Sequence, residues 1–130
     1  MRLLFRHITP ASLMAALTLW ISAVATPVVA AELVMIDRQG CAYCIAWKKE
    51  VGIAYPNTDL GQFAPLRIVD IRDGAPDGIR FSRPAMFTPT FILIQNDIEI
   101  GRIEGYPGED FFWGLLEKML KEKTDFIGSS

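Results

Sequence analysis

The sequence predicts one α/β domain of four strands and at least two helices, and three observations carry that expectation. "ELVMID" (Glu32 to Asp37) is a short apolar run rich in β-formers that breaks at "RQG" and gives way to helical spacing from Cys41. "TFILIQ" and "IEIGRIEGY" are β-rich runs joined by Asn96 and Asp97, the pattern of an antiparallel hairpin. "PGEDFFWGLLEKMLKEK" sets Phe112, Leu115, Leu116, Met119 and Leu120 on one stripe, with Glu109 and Asp110 leading and Lys118, Lys121 and Lys123 trailing, as the helix dipole favours.

The N-terminal residues stand apart from that domain. Arg2, Arg6 and His7 precede the uncharged run "LMAALTLWISAVA", and "TPVVAAEL" ends in small residues before the first acid, Glu32. This order predicts a secretory signal peptide over residues 1–31, cleaved after Ala30 or Ala31, and a domain over 32–130. An uncleaved membrane anchor is the alternative, since spanning takes roughly 20 apolar residues, but Pro10, Ser12, Thr18, Ser22 and Pro27 dilute the run. No cysteine stands near the junction to carry a lipid. Taking the two arginines of 1–31 from the thirteen basic residues leaves eleven against fifteen acids, a net charge of −4. Such a surface gives no reason to expect nucleic acid or an anionic membrane as partner.

Along the domain, "CAYCIAWKKEV" spaces Cys44, Trp47 and Val51 as one apolar helix face, limited by Gly52 and Pro56. "NTDLGQFAP" reads as a polar connector with one helical turn capped by Asn57 or Thr58, and "LRIVDI" (Leu66 to Ile71) as a second buried strand. "RDGAPDGIRFSRPAMF" is punctuated by Gly and Pro, has no clean period and reads as loop with at most a short helix. Trp47, Phe111, Phe112 and Trp113 are expected in core or helix packing. Arg83, Met86 and Phe87 form either a docking rim or a plain surface loop.

The only cysteines, Cys41 and Cys44, admit three readings. A zinc site takes four ligands of Cys or His type, and His7, the one histidine, precedes the domain, so metal within one chain is excluded and only an intermolecular site remains. A structural disulfide across two residues closes a loop too small to restrict the unfolded chain much. As a dithiol the spacing is productive. At the first helical turn Cys41 meets free N–H groups that favour its thiolate, and Cys44, one turn on, can resolve a mixed disulfide. Downstream, Pro89 directly precedes a run that reads as a central strand, where proline cannot donate to the ladder; a cis Thr88–Pro89 bond is one resolution.

"QGCAYC" after a strand, "TPT" before a strand, the "QND" turn and "IEGYPGEDFFWGLL" entering the last helix resemble the thioredoxin superfamily over most of residues 33–123. The resemblance implies a thioredoxin-like fold: a central mixed four-stranded sheet flanked by helices, with the second helix region reduced. It implies Cys41 as nucleophile, Cys44 as resolving thiol, and Thr88–Pro89 with Tyr43 as substrate-binding positions, Thr88–Pro89 offering backbone to an extended stretch of the partner. No bound cofactor and no metal are implied.

The chain also departs from thioredoxins proper. Ala42–Tyr43 replaces Gly–Pro, and Met35 stands where they carry a buried acid six positions before the first cysteine. Asp37 is the nearest acid, so the proton acceptor for Cys44 is unidentified. Known couples on this scaffold span about 150 mV, or about 7 kcal/mol, which the dipeptide does not resolve. A general likeness to small periplasmic thioredoxins of bacterial sulfur-oxidation systems implies an exported reductant of disulfides or persulfides on clients, the sulfur-oxidation carrier protein among them, recharged by a membrane thiol donor. A disulfide oxidase or isomerase is the alternative. A redox-inert interaction module, which burial of Cys41 would favour, is the alternative of another class.

Overall fold

The computed structural model describes residues 30–128, so the expected signal peptide lies outside them except for Ala30 and Ala31. Ala31 opens β1 (Ala31–Asp37), one position before the predicted start, and is buried opposite Gln95. β1 runs parallel to β2 (Leu66–Asp70) and antiparallel to β3 (Thr90–Gln95), and β3 pairs antiparallel with β4 (Ile98–Glu104). The order β2-β1-β3-β4 is a mixed sheet with β1 and β3 inside, and their apolar runs Leu33–Ile36 and Phe91–Ile94 are buried on both faces.

β2 corrects the expectation of a second buried strand. It lies at the sheet edge with Arg67 and Ile68 exposed, because only β1 pairs with it. An apolar run of this length reads alike at an edge and at a centre, so the sequence alone does not separate the two.

The helix after Cys41 is α1 (Ala42–Trp47), which passes into a π-helical turn over Lys48–Gly52. Cys44, Trp47 and Val51 are its buried face, as their spacing requires. A 3₁₀ turn at Tyr55–Asn57 leads to α2 (Asp59–Phe63), where the Thr58 hydroxyl caps the helix by accepting the Gly61 N–H at 3.0 Å. This five-residue helix is the reduced second helix. α3 (Glu109–Lys123) packs Phe112, Leu116, Met119 and Leu120 inward. It leaves Phe111 largely in solvent and Leu115 partly so, correcting the placement of Phe111 in the packing layer. Gly101 on β4 lets α3 approach, since a Cβ there would stand 2.9 Å from Met119 Sδ.

Helices cover one face of the sheet, over a core in which Trp47, Tyr55, Phe91 and Phe112 are fully buried. The other face, formed by Val34, Ile36, Ile92 and Ile94, is covered by Val69, Ile71, Ile79, Phe81 and Ala85. Most of that cover is the segment between β2 and β3, which forms no helix. In the hairpin turn Asn96 and Asp97 have φ of 52° and 62°, as a two-residue type I′ turn demands. A bulge shifts the β3–β4 register between Leu93 and Ile94. Among the described residues no helix is long and apolar enough to cross a membrane.

Candidate active site

Gly40, at φ 77°, supplies the left-handed turn that ends the β1 connection, and Cys41 follows it in extended backbone as the N-cap of α1. Its carbonyl accepts the Ile45 N–H at 3.0 Å, and its Sγ accepts the Cys44 N–H at 3.2 Å. The first helical turn therefore directs a backbone donor at the sulfur, as a cap residue requires.

Cys41 and Cys44 are joined by a disulfide, with Cα atoms 5.2 Å apart. Both are buried, Cys41 at 6% exposure and Cys44 at 1%. The burial of Cys41 taken by itself favours the inert module.

The fold brings the predicted downstream positions to the same place. The Thr88–Pro89 peptide bond is cis, and the Thr88 carbonyl oxygen lies 3.4 Å from Cys41 Sγ, across 47 positions of sequence. In the dithiol form the Cys41 S–H has an acceptor there. Two further bonds fix this loop to the sheet: Gly105 N–H donates to the Pro89 carbonyl at 2.8 Å, and the Thr90 hydroxyl donates to the Phe87 carbonyl at 2.8 Å. Tyr43, between the cysteines, is 65% exposed, and Met86 and Phe87, just before Thr88, are exposed as well. Arg83, exposed on the same loop, forms an ion pair with Glu104 at 2.8 Å.

Met35 is fully buried in the apolar core, and the Asp37 carboxylate is engaged by the Lys48 ammonium and the Arg38 N–H. A link that the sequence does not announce joins the π-helical turn to the end of β4: the Tyr106 hydroxyl donates to Glu50 Oε2 at 2.6 Å. Burial, and then that bond to Glu50, push the Tyr106 phenol well above its usual range. Glu50 and Tyr106 stand 56 positions apart in sequence, and nothing in their spacing marks them as partners. Among the described residues no group of three or more His, Cys, Asp or Glu side chains could hold a metal ion.

Comparison with solved structures finds the periplasmic thioredoxin SoxS of Paracoccus pantotrophus in its reduced form. The TM-score is 0.69 and the sequence identity 46%, over 71% of this chain and 97% of that one. The chain belongs to the thioredoxin family. Its Cys41–Cys44 pair is the redox disulfide of a thiol–disulfide oxidoreductase, which removes the inert module that burial alone favours. The thioredoxin Mala s 13 of Malassezia sympodialis also aligns, with 17% identity, a TM-score of 0.48, and coverage of 70% of this chain and 78% of that one. A scan of family models and a search of curated proteins both return no match.

Proposed function

We propose that this thioredoxin is an exported, periplasmic reductant of client proteins. The Cys41 thiolate attacks one sulfur of a client disulfide and forms a mixed disulfide, releasing the other client sulfur as a thiolate. Cys44 then attacks Cys41 Sγ, frees the second client sulfur, and leaves the Cys41–Cys44 disulfide. Two electrons pass to the client, and a membrane thiol donor restores the dithiol.

The observation that carries this reading is the position of Cys41 Sγ between a helix-turn N–H at 3.2 Å and the Thr88 carbonyl at 3.4 Å. The N–H favours the thiolate by donating to it. The Thr88–Pro89 backbone stands where an extended client segment can align beside the attacking sulfur, with Tyr43, Met86 and Phe87 as an apolar rim. The greater residual exposure of Cys41 fits attack there and resolution at Cys44. The 46% identity to a periplasmic thioredoxin SoxS supports the periplasm and makes the sulfur-oxidation carrier protein the first client to try. Cleavage of the signal peptide after Ala30 keeps Ala31 in β1, opposite Gln95.

Equilibration of the Cys41–Cys44 couple with glutathione tests the direction of electron flow. A potential near the roughly −270 mV of reducing thioredoxins supports the reductant, and one near the roughly −120 mV of strong oxidants overturns it in favour of the oxidase or isomerase. A Cys44→Ser variant should accumulate the mixed disulfide with the client on Cys41.

A further inference from the structure

The segment between β2 and β3 supplies most of the cover of one sheet face and forms no helix, so its backbone groups need partners elsewhere. From Arg80 onward it finds them on the hairpin. Arg80 donates its N–H to the Asp97 carbonyl at 2.8 Å and accepts the Glu99 N–H at 3.0 Å. Ser82 N–H donates to Glu99 Oε2 at 2.7 Å, and the Arg83 carbonyl accepts from Arg102 Nη2 at 2.8 Å.

Glu99 and Arg102 are themselves locked together. Arg102 Nε donates to Glu99 Oε1 at 2.6 Å and Nη2 to Oε2 at 2.7 Å, with side chains 5% and 7% exposed. Residues three apart on a regular strand point to opposite faces. The bulge removes that separation: Arg102 stands opposite Ile92 and Glu99 opposite Ile94, with the extra residue Ile100 between the two registers. Both charges thus lie on the loop-covered face, against Ile92 and Ile94. A buried ion pair is weak as a source of stability, because desolvation offsets most of its attraction. What this pair does hold is two backbone groups of one loop, four and three positions before Met86.

We propose that Glu99 and Arg102 are positioning residues for client docking: by fixing Ser82 and Arg83 they set where Met86, Phe87 and Thr88 stand beside Cys41. They act on the rate with protein disulfides and leave the chemistry of Cys41 unchanged. The inference rests on the docking role proposed above for the Thr88–Pro89 loop.

The test compares two disulfides offered to the reduced protein: insulin, whose disulfides are flanked by polypeptide, and hydroxyethyl disulfide, which carries none. In the double variant Glu99→Leu/Arg102→Met, insulin reduction should fall on the order of tenfold, as loose positioning costs reactivity, while the hydroxyethyl disulfide rate and the couple's potential stay within about twofold. Removing both charges together leaves neither buried alone, which keeps the variant foldable. Ser82→Ala and Ser82→Pro, at an exposed loop position, remove the hydroxyl alone and the hydroxyl with the N–H donor to Glu99; the proline variant should show the same selectivity with a smaller drop than the double variant and the alanine variant a smaller drop still, and the pair carries the test if the double variant does not fold. Equal losses with both disulfides, or no loss with insulin, overturn the inference. A Met86→Ala/Phe87→Ala variant run in parallel isolates its foundation. If that variant slows insulin and the Glu99/Arg102 variant does not, the inference alone falls; if it leaves insulin reduction unchanged, the docking reading falls and the inference with it.

Discussion

The two faces of this sheet are closed by different means. On the helix face, Trp47 lies 5.0 Å from Phe91 and 5.5 Å from Phe112 between ring centroids, and Phe91 and Phe112 are 4.7 Å apart. Close-packed rings of this kind hold by contact area and shape. On the loop face, a thinner apolar layer is pinned by the Glu99–Arg102 pair and its bonds to Ser82 and Arg83. A cavity of about 330 Å³ remains there, lined by Ile36, Ile71, Phe81 and Ala85 among others. The redox pair belongs to the packed face, and the loop proposed to receive the client belongs to the pinned one. Close packing thus lies behind the sulfurs, and a loop held by polar bonds lies beside them.

Core truncation should expose the contrast most strongly. Phe112→Ala removes a fully buried ring from the aromatic cluster and should cost about 3–5 kcal/mol, measured by urea unfolding. Phe81→Ala removes a half-buried ring already bordering a cavity and should cost about 1–2 kcal/mol. Equal costs would mean that the loop face is packed as tightly as the helix face, and the comparison would break.

The same contrast explains what was legible beforehand. Periodic burial writes itself into sequence, so α1, β1, the hairpin and the inner stripe of α3 could be read from spacing. The Cys41–Cys44 bridge was legible from two cysteines three apart at a helix start, and the cis Thr88–Pro89 bond from a proline directly before a central strand. The edge position of β2 was not, since nothing in "LRIVDI" says how many strands pair with it. Phe111 was misplaced because three aromatic residues in a row on a helix cannot all face inward, and the letters do not say which turns out. Glu99 and Arg102 were invisible for a sharper reason: three apart on a strand they should point to opposite faces, and only the bulge brings them together. Glu50 and Tyr106, 56 positions apart, meet only through the fold.

The smallest expected effect is the one that separates the faces by charge. Burial alone would raise the Glu99 carboxyl, but the Arg102 fork and the Ser82 N–H outweigh it and hold Glu99 below the usual carboxylate range. Its folded pKa is depressed, so its contribution to stability is present above the unfolded value of about 4.3 and is lost as pH falls through the folded value. Glu104, the other carboxylate touching Arg102, is also held low, first by Arg83, and it keeps that partner when Arg102 is replaced. Asp70, held at about 2 by Arg72, titrates identically in both proteins and cancels. Below about pH 4.3, therefore, wild type should lose stability relative to the Glu99→Leu/Arg102→Met variant, with the gap moving steadily in the variant's favour in urea titrations. The deficit of Phe112→Ala should stay constant across the same interval, since no ionised group is part of that packing. If the loop-face variant instead tracks wild type down the whole acid range, ion pairing does not hold that face, and its closure must rest on the apolar layer alone.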